Sequence, residues 1–426
     1  MMVRAHWWRA VAAVMQLVGD LEVAEDAVQE ACAAAVVRWR TDGVPANPGA
    51  WLVGAARHKA VDWQRREAKR ARKEEEAMRG YRGQEYPAGV GPITDDQLAL
   101  IFLCCHPALD GEVQVALTLR AVCGLATADI AAAFLLPEPT LAQRLVRAKR
   151  KIREAGIPFR IPPADVLGGR LADVLRVVYL LFTQGHRAST GAELIRPALC
   201  TEAIRLAREL VSLLSEEPEV IGLLALLLFI DARRPGRINA AGDLILLEEQ
   251  DRRRWDQAMI AEGAALVDQA LRMRRPGPYQ IQAAIAACHS TAQTAAATDW
   301  SEIAALYGVL ARYELTPVVE ANRAVAVAMA EGPAAGLGIL DALATDPHLA
   351  RWSPFHSARA DLLARLGRYT DAGDAYRAAL ALNPPAVEQA FITGRLRQLP
   401  PLSSGRVPGD ARTTSSDAPS SYPQRA

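Results

Sequence analysis

Apolar side chains recur every three or four residues along nearly the whole chain, whereas the alternation of apolar and polar residues that marks a β-strand is almost absent. The segment 22–39 shows the helical pattern, with small apolar residues on one face at Ala24, Ala27, Val28, Ala31 and Ala35. The longest apolar run, 220–230, is too short to cross a bilayer, so no contact with a membrane is expected. The sequence therefore predicts an all-α protein.

Glycine, proline and serine divide this helical chain into parts. Helices are expected at about 10–18, at 22–39 and from Pro48 onward. The predicted parts are two small helical domains at 1–73 and 96–157, a linker between them at 74–95, a helical extension at 167–397 and a disordered tail at 398–426.

The charge is distributed unevenly, although the formal net charge is only +1. Residues 57–73 contain eight basic side chains against two acidic ones, and residues 144–153 contain six basic side chains and no acidic one. The rest of the chain is therefore net acidic. Two basic patches on an acidic protein predict two contact points for a polyanion. The alternative is that both patches are solvated helix faces without a partner.

The second basic patch lies in a sequence that predicts a helix-turn-helix. Thr127 is a natural N-cap for a short helix, residues 134–137 leave room only for a turn, and Pro139 suits the first turn of a second helix. One apolar stripe of that second helix is predicted to be buried, formed by Leu141, Leu145, Ala148 and Ile152.

The polar side of the second helix has the composition that a DNA-recognition helix requires. Its first side chains are expected to reach base edges, and its later basic side chains to contact phosphates. The candidate DNA contacts are Glu138, Thr140, Gln143, Arg144, Arg147, Arg150 and Lys151. An amphipathic hairpin with a basic exterior remains the alternative.

The first basic patch contains aromatic residues among its arginines. Trp51 and Trp63 alternate there with Arg57, Lys59, Arg65 and Arg66. Exposed aromatic rings beside arginine suit unstacked, single-stranded bases, because every base offers a π-face. Taken alone, this segment favours the other interpretation, in which both tryptophans are core residues and the arginines are merely solvated.

The extension contains a pattern typical of tetratricopeptide repeats, which are helical hairpins of about 34 residues. Around 353–384 the small and aromatic positions fall at Ala360, Gly367, Tyr369, Ala372, Tyr376, Ala379 and Pro384. Trp300 and Tyr307 repeat the seven-residue gap between Tyr369 and Tyr376. Aromatic residues are expected to fill the holes between stacked hairpins. The alternative is an irregular helical bundle.

Cysteine and histidine give no support for a metal, cofactor or catalytic site. The six cysteines are scattered, as expected for reduced core residues of a cytoplasmic protein. Cys104, Cys105 and His106 are predicted to lie at a buried helix end. The segments 179–186 and 250–255 carry more polar and aromatic residues than packing requires, which leaves three interpretations open: a docking surface for the first domains, a ligand pocket, or ordinary packing.

Several of these segments together resemble the sigma factors of the extracytoplasmic-function group. The resembling segments are 20–31 (DLEVAEDAVQEA), 48–66 (PGAWLVGAARHKAVDWQRR) and the helix-turn-helix at 125–152. Five further segments resemble a subgroup of this family that has a long helical C-terminal extension. They are 98–109 (LALIFLCCHPAL), 142–152 (AQRLVRAKRKI), 179–186 (YLLFTQGH), 247–256 (LEEQDRRRWD) and 277–284 (GPYQIQAA). His58 departs from the family, which often has asparagine there.

The resemblance implies roles for particular residues. Asp26, Gln29 and Glu30 are expected to contact the clamp helices of core RNA polymerase. Recognition and opening of the minus-10 element are expected from the helix 48–66 and the loop before it, through Asn47, Trp51, Arg57, His58, Lys59, Trp63, Arg65 and Arg66. The helix 138–153 is expected to bind the minus-35 element, and the linker 74–95 to set the distance between the two contacts.

We therefore expect a non-enzymatic sigma factor whose fused helical repeats regulate it. Its expected partners are core RNA polymerase, promoter DNA as duplex and as melted single strand, and a protein or ligand that binds the extension. One alternative is a stand-alone helix-turn-helix regulator with a sensory repeat domain. Another is an enzyme within 167–397, with a pocket around His186 or His289.

Overall fold

The computed structural model describes residues 6–75, 93–134, 136–187, 195–237, 239, 245–314 and 316–400. These residues form eighteen α-helices and a few short 3₁₀ turns, without a β-strand, which confirms the predicted all-α class. None of the described helices is long and apolar enough to cross a membrane.

The first three helices are α1 (Trp7–Val18), α2 (Leu21–Thr41) and α3 (Pro48–Glu75), and all three pack against one another. Gly19 ends α1 in the left-handed region at φ 67°, where glycine carries no steric penalty. Asp20 then caps α2, because its Oδ1 accepts hydrogen bonds from the backbone N–H of Glu22 and Val23. Most of the predicted linker, at 76–92, lies outside the described residues.

The next four helices are α4 (Ile93–Cys104), α5 (Gly111–Ala121), α6 (Thr127–Ala133) and α7 (Glu138–Glu154). The four residues predicted for the apolar stripe of α7 are all buried, and Pro139 stands in its first turn. The predicted cap at Thr127 is wrong by one position. Thr127 is already helical, because Ala126 O accepts the first hydrogen bond, from Ile130 N.

The extension consists of eleven described helices, each of which packs against the next. They are α8 (Ala164–Arg187), α9 (Ile195–Leu213), α10 (Pro218–Ala232), α11 (Gln257–Arg272), α12 (Pro278–Thr291), α13 (Trp300–Leu310), α14 (Pro317–Glu331), α15 (Pro333–Ala342), α16 (Ser353–Arg365), α17 (Tyr369–Ala381) and α18 (Ala386–Gln398). The tail predicted to be disordered begins at the end of α18, and its residues 401–426 lie outside the described part of the chain.

The best predicted repeat corresponds to the pair α16 and α17. Ala360, Ala372, Tyr376 and Ala379 are buried between neighbouring helices, and Gly367 makes the turn at φ 75°. Tyr369 does not fill a hole as predicted, because it begins α17 at the surface with 40% of its area exposed. The local spacing therefore identified the packing positions better than it identified the aromatic ones.

A single buried apolar cluster extends from Trp7 in α1 through the helix-turn-helix to Leu228 in α10. Trp7 Nε1 donates to Ala121 O at 3.1 Å, which joins α1 to the end of α5. Arg170 on α8 donates to Phe102 O at 2.6 Å, which joins the extension to α4. The first helices of the extension therefore belong to the same core as the two N-terminal helical parts.

Candidate nucleic-acid interface

The outer side of α7 is open to solvent along the positions predicted to contact DNA. Leu141, Leu145, Ala148 and Ile152 hold the helix in the core from the other side. Arg144 is half-buried, and the remaining predicted contacts are exposed: Glu138, Thr140, Gln143, Arg147, Arg150 and Lys151. The helix thus presents one polar edge that no described element covers.

The basic side chains on this edge have only weak partners within the protein. Arg144 pairs with Glu112 at 3.1 Å, and Arg150 pairs with Glu154 at 2.6 Å. Lys151 Nζ donates to Ala108 O, and Arg147 has no ion pair among the described residues. Exposed ion pairs contribute little to stability, so these cations can exchange their partners for phosphates.

The helix α3 begins at a capping residue and carries the second group of predicted contacts. Asn47 Oδ1 accepts a hydrogen bond from Ala50 N at 3.0 Å, which satisfies a free N–H at the start of the helix. The basic residues of this group that are exposed are Arg57, His58, Arg65 and Arg66, and Lys59 is half-buried.

The two tryptophans of α3 have different environments. Trp51 is half-buried, and its ring lies edge-on to that of Trp39 at 5.5 Å. Trp63 has 41% of its area exposed, so the interpretation that it is a core residue is wrong. Trp51 lies in the first turn of α3, next to Trp39 of α2, whereas Trp63 lies further along α3 on its outer side. Only Trp63 offers an open ring face beside arginine.

The acidic residues predicted to contact polymerase lie on α2, beside α3. Asp26, Gln29 and Glu30 are all exposed, and Glu30 pairs with Lys59 on α3 at 3.1 Å. A cavity of about 230 Å³ lies between these helices and the end of α7, lined by Asp20, Glu22, Val23, Asp26, Ala27, Glu30, Lys59, Trp63, Arg66 and Arg153. Acidic residues of α2 and basic residues of α3 and α7, which are far apart in the sequence, therefore line one groove.

A buried ion pair between α2 and α7 was not expected from the sequence. Glu25 is completely buried, Lys149 Nζ lies 2.5 Å from its Oε2, and Arg120 Nε lies 3.8 Å away. At the rim, Arg153 pairs with Asp20 at 3.0 Å. A signal existed, because Glu25 lies on the same face of α2 as the apolar residues and Lys149 follows the buried Ala148. The helices α2 and α7 are thus held together.

The histidines proposed for a catalytic pocket are poor proton acceptors. Burial and the nearby Arg237 lower the pKa of His186 to about 3. Burial, Arg233 and Arg252 lower the pKa of His289 to about 4. Both rings are therefore neutral at pH 7 and hold a proton weakly, which does not suit a general base. His289 does border a cavity, as the enzyme hypothesis predicts, but arginines accompany it there.

Of the remaining candidate side chains, His106 is half-buried, which corrects the prediction that it lies at a buried helix end, and the two cysteines beside it lie in the core. Cys104 and Cys105 are buried at the end of α4, in agreement with the sequence, and burial raises the pKa of the Cys105 thiol to about 12. No group of three metal-ligating side chains occurs within the described ranges of the chain.

Three family models match the chain. Sigma-70 region 2 matches residues 2–70, Sigma-70 region 4 matches residues 99–152, and a family of unknown function (DUF6596) matches residues 170–271. The first two matches cover most of α3 and α7, with the exposed residues described above. The third covers the first helices of the extension.

Among curated proteins, the chain is similar to the uncharacterized protein R00370 of Rhizobium meliloti (strain 1021). The two are 43% identical over 396 residues, which cover 92% of this chain and 93% of that protein. The chain is also similar to the probable ECF RNA polymerase sigma factor SigI of two Mycobacterium tuberculosis strains, with 28% identity over 166 residues. That alignment covers 38% of this chain and 57% of SigI. No solved structure matches the chain.

Proposed function

The chain belongs to the extracytoplasmic-function group of the sigma-70 family and carries a helical C-terminal extension, and from this premise we propose how it acts on a promoter. Its two basic helices bind two promoter elements, α2 binds core RNA polymerase, and the extension regulates the complex in the cytoplasm. The observation that carries the proposal is the polar edge of α7, where the predicted contacts are accessible while the apolar stripe is buried.

In this proposal α7 binds the minus-35 element in the major groove. Gln143 and Arg144 lie in the first half of the helix, where side chains reach base edges. A bidentate contact of arginine with guanine is worth roughly 1–3 kcal/mol of discrimination. Arg147, Arg150 and Lys151 contact phosphates and contribute affinity that weakens with salt.

Opening of the minus-10 element is assigned to α3. Trp63 offers its ring to an unstacked base between Arg66 and Lys59, and stacking on an aromatic side chain is worth roughly 1–3 kcal/mol per base. His58 is exposed on the same helix and is proposed as a neighbouring contact. Binding of the single strand then stabilises the opened DNA against the duplex.

Attachment to core polymerase is assigned to Asp26, Gln29 and Glu30. The pair between Glu30 and Lys59 is exposed on both sides, so Glu30 can exchange Lys59 for a basic residue of polymerase at little cost. The same exchange frees Lys59 for DNA. Polymerase binding and DNA binding are therefore linked through one surface ion pair.

The proposal also requires that α2 and α7 separate during initiation. The minus-10 and minus-35 elements are centred roughly 25 base pairs apart, or about 85 Å at 3.4 Å per pair, whereas α2 and α7 are in contact here. The linker 74–95 sets how far they can move apart. The Glu25–Lys149 pair, together with the packing of α1 on α4 and α5, holds the closed form until polymerase binds.

Regulation by the extension is proposed because its first helices are part of the promoter-binding core. Helix α8 packs against α4 and α5, and α9 packs against α6 of the helix-turn-helix. A partner that shifts α8 or α9 therefore also acts on the domain that carries α7. A stand-alone regulator would share this design but would not need the acidic face of α2.

Co-purification with core RNA polymerase, measured beside a gel shift of the free protein on duplex DNA, tests the proposal. We expect the full chain to bind polymerase, and the double variant Asp26→Asn, Glu30→Gln to lose at least about tenfold in affinity through lost charge pairing. Glu331→Gln with Asp374→Asn removes two exposed acids from the extension and serves as the control. Tight DNA binding without polymerase, unaffected by the first pair, would instead identify a stand-alone regulator.

The closed form is tested with Glu25→Leu, Lys149→Met, in which apolar packing replaces the buried ion pair. This variant should hold α2 and α7 together more firmly and should associate with polymerase more slowly than the wild type. An unchanged association rate would show that the two helices need not separate for polymerase to bind.

A further inference from the structure

Two cavities lie side by side in the extension and share a wall formed by Leu247 and His289. The first, of about 580 Å³, lies among α12, α13, α14, α16 and α18 and includes Trp300 and Phe391. The second, of about 570 Å³, lies among α8, α10, α12, α13 and α14 and includes Tyr179, Tyr279 and Tyr307. Each has the size of a pocket for a small organic molecule, with aromatic rings on its walls.

Each cavity contains an arginine that has no carboxylate partner among the described residues. Arg252 borders the first cavity, where its Nη1 donates to His289 O at 2.5 Å and to Ala292 O at 2.7 Å. Arg233 borders the second, and within the described ranges it has neither an ion pair nor a hydrogen bond from its side chain. Burial, Arg237 and Arg252 lower the pKa of Arg233 to about 10. These cations are therefore close enough to disfavour one another.

The carboxylates that border the cavities do not compensate for these two arginines. Asp361 is already bound by Arg365 at 2.7 Å and by Arg395. Glu248 is exposed at the rim, and burial together with Glu219 raises the pKa of Glu314 in the second cavity. A half-buried positive charge without a counter-ion is costly, so this part of the extension would gain stability from a bound anion.

His289 lies between the two arginines with a hydrogen-bonding atom unused. Its Nδ1 is buried and has no hydrogen-bond partner among the described residues, which is uncommon for a buried polar atom. Its ring is edge-on to Trp300 at 5.1 Å. The imidazole is neutral at pH 7, so it can form one hydrogen bond with a ligand, as donor or acceptor according to its tautomer.

We propose that the second cavity binds a small organic anion, with its negative group at Arg233 beside His289 and its flat apolar part among the aromatic rings, while Arg252 adds positive charge from the other side of the shared wall. Arg233 offers paired N–H donors for a carboxylate or phosphate, whereas Nη1 of Arg252 is already engaged by two backbone carbonyls and Arg252 contributes its positive charge. The site does not depend on the promoter-binding function proposed above. It assigns a role to the segment 250–255 and to Tyr179, which the sequence marked as more polar and aromatic than packing requires.

The test is isothermal titration calorimetry of the full chain with three probes of one shape: 1-naphthoate, 1-naphthyl phosphate and the neutral 1-naphthalenemethanol. We expect saturable binding of one anion per chain below about 1 mM, at least about tenfold tighter than the neutral probe. The stronger of the two anions indicates whether the natural ligand carries a carboxylate or a phosphate.

Arg233→Met distinguishes a designed anion site from general affinity for aromatic compounds. This substitution breaks no described contact. It should lower the affinity for both anionic probes at least about tenfold, while the affinity for 1-naphthalenemethanol stays the same. Arg253→Met, at an exposed arginine outside both cavities, is the matched control and should bind like the wild type. Absence of saturable binding, equal affinity for anionic and neutral probes, or an unchanged affinity in Arg233→Met would overturn the proposal.

Discussion

Charged side chains are buried or half-buried in two regions of the molecule, and only one of these regions provides a partner of opposite charge. Between α2 and α7 a fully buried carboxylate, Glu25, faces Lys149 at 2.5 Å. In the extension Arg233 and Arg252 border open cavities, and neither has a carboxylate partner among the described residues. The first arrangement pairs the buried charge within the chain, whereas the second leaves positive charge without a carboxylate among the described residues.

The two regions therefore have different roles. The contact between α2 and α7 around Glu25 and Lys149, called the joint below, holds two helices together, whereas the cavities with Arg233 and Arg252 are the proposed binding site. A buried pair with both partners present specifies which surfaces meet, because either partner alone is strongly unfavourable. A cation that stays unpaired lowers the stability of the empty protein and raises its affinity for an anion. Substitutions at the two regions should therefore change stability in different directions.

The largest effect is expected at the joint. Lys149→Met leaves the buried Glu25 with only the more distant Arg120, at 3.8 Å, and should lower the free energy of unfolding by up to about 3–5 kcal/mol. The measurement is urea denaturation followed by circular dichroism. The double variant Glu25→Leu, Lys149→Met should recover the loss and be at least as stable as the wild type, since it removes both charges. If the double variant were as unstable as the single one, the loss would come from packing and not from the pair.

A smaller contrast is expected between the two arginines of the cavities. Arg252→Met should lower the free energy of unfolding by about 1–3 kcal/mol, because the carbonyls of His289 and Ala292 lose their donor. Arg233→Met should raise it by about 1 kcal/mol, because it removes an unpaired cation. Thermal denaturation of both variants without added anion measures the difference. A destabilised Arg233→Met would show that this arginine has a partner in solution.

Part of the acid dependence of stability should be traceable to His289, beside a separate part from His186, whose pKa is also lowered. The pKa of His289 is about 4 in the folded protein against an ordinary 6.5, so the unfolded chain takes up the proton first as the pH falls. Its contribution is complete above pH 6.5 and is lost between pH 6.5 and pH 4, amounting to about 1–2 kcal/mol for a half-buried ring.

In His289→Gln the free energy of unfolding should fall less between pH 6.5 and pH 4 than in the wild type. His348→Gln, at an exposed histidine, should behave like the wild type. Denaturation curves at several pH values in this window give the comparison. A wild type and a His289→Gln variant that decline in parallel would contradict the assignment. Bound 1-naphthoate should reduce the decline, because it favours the protonated ring.

The smallest effect is expected at the rim of the joint. Arg153 pairs with Asp20 and Glu22, but its side chain is largely exposed. Such pairs contribute little, so Arg153→Ala should leave the urea midpoint within experimental error. A clear loss would mean that the rim, and not only the buried pair, holds α2 to α7.

Local periodicity was enough to predict much of the fold and half of the candidate interface. The stripe of α7 and the faces of α2 depend on residues three or four apart, so the sequence contains them directly. Trp63 could not be assigned, because a tryptophan near arginines is compatible with either a core or a surface position. Its exposure depends on how α3 packs against α1 and α2.

Contacts between distant segments could not be predicted. Glu25 and Lys149 belong to different predicted domains, so the position of Glu25 beside the apolar face of α2 could not show which cation it meets. Likewise Arg233, Arg252 and His289 lie in three separate segments, and only the packing of α10 and α12 brings them together. The sequence marked 250–255 as unusually polar but could not show that a cavity would lie beside it.

The most direct test of the account is promoter-specific initiation by core RNA polymerase on genomic DNA of the source organism, with transcript starts mapped by sequencing. Adding the protein should create starts that share two upstream sequence elements. Arg144→Ala with Arg147→Ala should abolish them, whereas Arg272→Ala with Arg312→Ala, two exposed arginines of the extension, should not. If no new starts arose, or if the α7 variant produced the same starts as the wild type, the assignment of α7 as the promoter-binding helix would be contradicted.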